Sequence, residues 1–145
     1  MTEKKSKERV VFMDEMKEIR WKQRFENFEK SYMLLEKYAE LEVKNELERA
    51  GIIQFFEMTI ELSWKVLKDY LEAQGYVIKT PRESIKQAFQ IELIVDGHGW
   101  LEALSKRNLT SHTYDDELAE KLVKEIKRHY LPLLKHLYNK LKEEL

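Results

Sequence analysis

Cysteine is absent from the 145-residue chain, which removes disulfides, thiolate nucleophiles and cysteine-ligated zinc from consideration. Proline occurs twice and glycine four times, too few for the turns of a sheet-rich fold. Charged residues reach 37% against a usual share of about 25%, and with so few turn formers this favours long amphipathic helices. The expected class is all-α. No apolar run approaches the roughly 18 residues that a membrane span requires. The opening MTEKKSKERV lacks the apolar stretch and small-residue cleavage site of a signal peptide. A cytoplasmic protein of a single domain, residues 1–145, is expected, with 1–15 as a frayed basic tail. The formal net charge of -1 gives no broad basic surface, so any contact with phosphate must come from a local patch.

What the chain does have is helical periodicity. From about Ile19 to Val43, Trp21, Phe25, Phe28, Tyr32 and Leu35 recur at three- and four-residue spacing and define one apolar stripe, with Met33, Leu34 and Tyr38 alongside. A second helix from Asn45 to about Gln74 carries Leu47, Ile53, Phe56, Ile60, Trp64, Leu67 and Leu71, and Gly75 follows where helices commonly stop. TPRES supplies Thr80 as N-cap, Pro81 at the first helical position and Glu83 as the third member of a capping box. That third helix is expected to reach Val95. VDGHGW reads as a turn, with a short fourth helix starting at Trp100, Leu101 and Leu104. The last helix spans about Asp115 to Leu145. Acidic residues crowd its first turn, and Leu118, Leu122, Ile126, Leu133, Leu137 and Leu141 form its apolar face. Pro132 inside it has no N–H for the carbonyl of Arg128, so a kink is expected there.

Between the fourth and last helices lies RNLTSHTY, Arg107 to Tyr114. Asn, Thr and Ser compete with helical hydrogen bonds, so the segment interrupts the helices. As a connector it needs no further role: Lys106 and Arg107 suit the negative end of one helix, and Thr113 caps the next. As a site, it offers a permanent planar cation in Arg107 and a proton-exchanging imidazole in His112, a combination suited to phosphate chemistry. Positions five apart lie about 140° apart around an ideal helix. One straight helix therefore does not aim both groups at one substrate; either the helix ends between them or a second subunit completes the site. Asn108 shares a face with His112 and is a supporting candidate, together with Ser111.

The other candidates carry less. His98 lies in a glycine-rich turn. His129 and His136 have no carboxylate constellation around them, so no metal site is expected. Trp64 and Trp100 sit on apolar periodic faces and read as core anchors rather than base-stacking platforms.

RNLTSHTY resembles the Arg-x4-His-x-Tyr motif of the HEPN family, helical proteins encoded with minimal nucleotidyltransferases. The segments FFEMTIELSWKVLKDYLEAQGY, TPRESIKQAFQIELI and DGHGWLEALSKRNLTSHTY are similar in order and spacing to the branch of nucleotidyltransferase substrate-binding proteins, so the likeness runs from about Trp21 to Leu141. It implies an up-and-down bundle of about five helices and a homodimer. It also implies a metal-independent ribonuclease site at Arg107 and His112, with Tyr114 as the acceptor of adenylyl groups in a toxin-antitoxin pair. ATP and Mg2+ would then act only through the nucleotidyltransferase partner, and RNA would be the substrate. The branch equally implies a non-catalytic subunit that presents substrate to its partner. Glu61, Trp64, Arg82 and Phe89 belong to the likeness without an assigned role.

Overall fold

The computed structural model describes residues 3–107 and 115–145. The described chain is helical throughout: α1 Glu3–Ala39, α2 Glu46–Ala73, α3 Pro81–Gln90, α4 Gly97–Ser105, α5 Asp116–Glu125 and α6 Leu131–Glu143, the last two joined through a π turn at Ile126–Tyr130. The all-α bundle is thus as the sequence predicts. α2 is its hub, in contact with α1 along its length and with α3, α4 and α5, while α6 returns along α1.

The seam between α1 and α2 follows the spacing of their apolar residues. Trp21, Phe25, Phe28, Tyr32 and Leu35 are all buried, and they meet Ile53, Phe56, Ile60, Leu67 and Leu71 of α2 in one core. α6 closes this seam with Tyr138, whose ring stacks on Tyr32 at 4.8 Å and on Phe25 at 5.7 Å between centroids. Fully burying a large apolar side chain is worth about 1.5–3 kcal/mol, so this seam outweighs an ion pair that also links the two helices, Arg24 Nε to Asp69 Oδ2 at 2.9 Å. Arg24 is substantially exposed, and exposed pairs contribute about 0–1 kcal/mol.

Several boundaries differ from the sequence reading. The opening expected to fray is helical from Glu3, because Glu, Lys, Arg and Met are good helix formers. Its side chains nevertheless stay in solvent, including Val10, Val11, Phe12, Met13, Met16 and Ile19. α1 stops at Ala39, short of Val43, and the Lys127 ammonium ties down the following turn through the Leu41 carbonyl at 2.9 Å. Leu47, placed on the apolar stripe of the second helix, is 82% exposed, since it sits in the first turn of α2. Trp100 is core as expected, whereas Trp64 is only half-buried.

The third helix ends at Gln90, not Val95. Glu92 takes a left-handed φ of 62°, the Leu93 N–H reaches the Ala88 carbonyl at 2.9 Å and the Glu92 N–H reaches Phe89 at 3.1 Å. These bonds complete a Schellman cap, in which burial of Leu93 supplies the accompanying apolar contact. Periodicity did not reveal this stop because the left-handed position is filled by glutamate rather than glycine. The same motif ends α2, with Gly75 at φ 99°, Gly75 N–H to Glu72 and Tyr76 N–H to Leu71, each at 3.0 Å. The fourth helix starts earlier than Trp100: Asp96 accepts from the Gly99 N–H at 3.0 Å, so Gly97, His98 and Gly99 form its first turn.

The irregularity expected near Pro132 takes the form of the π turn, where the Leu131 N–H reaches back to the Ile126 carbonyl. A wider turn just before proline makes room for the ring where the α-helical ladder fails.

The two Schellman caps give opposite expectations. Nothing lies within 4 Å of a Cβ built on Gly75, so Gly75→Ala will cost about 1 kcal/mol through backbone conformation alone. Glu92→Gly will stabilise the fold by about 0.5–1 kcal/mol by relieving the left-handed glutamate. Urea denaturation midpoints of the two variants should move in opposite directions.

Candidate functional site

Among the sequence-predicted site residues, Arg107 is described; Asn108, Ser111, His112 and Tyr114 lie outside the described residues, as does Thr113. The helix that follows is capped instead by Asp115, whose side chain accepts from the Leu118 N–H at 3.1 Å.

Arg107 follows the last turn of α4, with its N–H on the Leu104 carbonyl at 3.3 Å. Its position depends on how α4 is held. One face of α4 buries Trp100 and Ala103. The opposite attachment comes from the π turn, which directs the Tyr130 hydroxyl to Glu102 Oε1 at 3.0 Å. Tyr130 itself stacks on Phe56 of α2 at 5.4 Å. The chain of support thus runs from the core of α2 through Tyr130 and Glu102 to the end of α4. On the far side of the polar segment, Arg49 of α2 holds the start of α5 through Asp116 at 3.2 Å and Glu120 at 3.8 Å.

The Arg107 side chain is half-buried, and its Nη1 is shielded from solvent without a hydrogen-bond partner among the described residues. An unsatisfied buried polar group costs about 1–3 kcal/mol, more when charged. Arg107 also lines a recess of about 300 Å3 whose other walls are Thr80, Pro81, Arg82, Leu101, Leu104 and Ser105. Two guanidinium-bearing residues therefore meet at the junction of the start of α3 and the end of α4, and no acidic residue is among the described lining. Sequence reasoning treated Thr80 as a cap only and left Arg82 without a role, because the two arginines are far apart along the chain.

A larger groove of about 1100 Å3 runs between α3 and α4 on the other side of Leu101. Its walls include Phe89, Ile94, Val95 and Leu101, with Lys86 opposed by Glu92 and Asp96. Mixed charge over an apolar floor does not favour phosphate as the two-arginine recess does. Among the described residues no three His, Asp or Glu side chains converge as a metal-ligand group, and no helix is long and apolar enough to cross a membrane.

With this geometry in view, comparison with known proteins is decisive for the family. Residues 23–143 match the family described as nucleotidyltransferase substrate binding protein like. The chain belongs to this HEPN-type family. A 77-residue stretch is 38% identical to a Haemophilus influenzae protein named probable ribonuclease HepT, covering 48% of this chain. The chain spans about half the length of that curated relative, 51%. A crystal structure of a Thermus thermophilus protein is 32% identical, with a TM-score of 0.72 over 79% of this chain and 98% of the other. The family match begins within α1, so the exposed, projecting part of that helix precedes the shared bundle.

Burial and the hydrogen bond to Glu102 push the Tyr130 hydroxyl above its ordinary value of 10, and burial with Glu36 does the same for Tyr32. The folded state thus keeps these phenols protonated where the unfolded state ionises. Their contribution is complete below about pH 10 and declines as pH rises above it. Tyr130→Phe will lower stability by about 1 kcal/mol at neutral pH and flatten the alkaline decline, as read by thermal melts between about pH 8 and 11.

Proposed function

We propose that the chain is the HEPN-type partner of a minimal nucleotidyltransferase and a metal-independent ribonuclease in which Arg107 and His112 act on the RNA backbone. The observation that carries this reading is the setting of Arg107: a half-buried guanidinium-bearing residue just past the end of α4, with a shielded nitrogen that has no partner among the described residues, lining a recess that also holds Arg82. The name of the Haemophilus influenzae relative supports the same chemistry.

In this reading the His112 imidazole takes the proton of a ribose 2′-hydroxyl. The freed oxygen attacks phosphorus to form the 2′,3′-cyclic phosphate, and the bond from phosphorus to the 5′-oxygen breaks as that oxygen receives a proton returned by the imidazolium. Arg107 stabilises the negative charge that grows on the phosphoryl oxygens. Asn108 and Ser111 hold the substrate beside the imidazole. The family resemblance implies a homodimer, and a dimer that shares the site is part of the proposal. The uncovered apolar side chains from Val10 to Ile19 support self-association, since contiguous exposed apolar surface marks interaction sites.

Tyr114 is the regulatory position of the proposal. Adenylylation there by the partner, in which the Tyr114 oxygen takes the α-phosphorus of Mg2+-bound ATP and pyrophosphate leaves, would place a negatively charged phosphodiester two residues from His112 and repel the RNA backbone, as in a toxin held silent by its antitoxin. The family description favours a second reading, a non-catalytic subunit that presents substrate to the nucleotidyltransferase.

The two readings separate in an RNA cleavage assay run with EDTA. The first expects cleavage that drops at least about 100-fold in His112→Ala; intact RNA at high protein concentration, or an unchanged rate in the variant, leaves the substrate-presenting subunit. Incubation with the partner, ATP and Mg2+ should add adenylyl mass to the parent but not to Tyr114→Phe. Sedimentation should give a dimer at micromolar concentration.

A further inference from the structure

The recess beside Arg107 has a second cation that neither the motif nor the family description assigns. We propose that Arg82 is a substrate-binding residue, and that the recess between the start of α3 and the end of α4 seats a phosphodiester of single-stranded RNA between Arg82 and Arg107. The inference rests on the reading of the chain as an RNA-binding protein, and extends it from one arginine to a built anion seat.

Four features converge on it. Both arginines line the same recess, and their planar, permanently charged donor sets suit phosphate oxygens. Arg82 is exposed and forms no ion pair among the described residues, so its charge is not spent within the fold. The neighbouring acid turns away from the recess: the Glu83 carboxylate accepts the Lys79 N–H at 2.7 Å, and Glu83 is not among the recess lining. Finally, α3 starts at Pro81 in the recess wall, so the positive end of its dipole adds to the field of the two guanidinium groups.

Helix geometry makes the site specific rather than a general basic surface. Lys86 lies on the same α3 helix but lines the neighbouring groove opposite Glu92 and Asp96. It therefore serves as a charge-matched control, equal to Arg82 in net charge but not in place.

The test is binding of a fluorescently labelled single-stranded RNA, measured by anisotropy in the His112→Ala background so that the probe stays intact. Arg82→Gln should weaken binding about five- to tenfold and reduce the dependence of log affinity on log salt by about one unit. Lys86→Gln should change affinity less than about twofold, and Arg82→Lys should recover part of the loss because a point charge replaces the fork. Circular dichroism melts confirm that each variant folds, as expected for an exposed position. Equal effects of Arg82→Gln and Lys86→Gln, or no RNA binding by the His112→Ala protein or the parent, overturn the proposal. Binding that depends on Arg82 without cleavage by the parent removes the ribonuclease reading and leaves the seat. Cleavage by the parent with binding indifferent to Arg82 removes the seat and leaves the ribonuclease.

Discussion

Burial of α2 on several sides at once is the constraint from which the rest of the molecule follows. Its apolar residues meet α1 along one seam, and Phe56 is also the surface on which Tyr130 stacks. A helix covered by so many neighbours has little freedom to shift, since close-packed side chains transmit displacement rather than absorb it. The helices α3, α4 and α5 all pack against this one rod.

The path from core to candidate site passes through the least regular element of the bundle. Pro132 breaks the ladder of the last helix, and the π turn just before it carries Tyr130. That side chain touches Phe56 with its ring and Glu102 with its hydroxyl, joining the hub helix to α4. A backbone device that accommodates proline thereby also fixes the short helix that Arg107 follows. This is consistent with the frequent placement of π turns at functional sites.

The electrostatics of the candidate site are local. A chain with net charge -1 cannot attract nucleic acid through its whole surface, so specificity of place has to come from where cations stand unopposed. Some cations elsewhere are paired: Arg24 with Asp69, Arg49 with Asp116 and Glu120, Lys106 with Glu125 at 4.0 Å. At the junction of α3 and α4 two arginines line one small recess with no acidic residue among its described lining, which favours an anion there.

The sequence by itself determined the helical class, the buried stripe from Trp21 to Leu35, the stop at Gly75 and the cap at Thr80. Each rests on interactions within a few residues of chain, where periodicity and hydrogen-bonding side chains are directly visible. It also pointed to Arg107 through a motif confined to one segment. It did not reveal the stop at Glu92, where an unfavourable residue occupies a left-handed cap, nor the exposure of Leu47, which depends on the helix end reaching beyond its neighbours. Only the tertiary structure joined Arg82 to Arg107 and Tyr130 to Glu102. Those pairs come from different helices, and their meeting depends on how the helices cross, which no local pattern encodes.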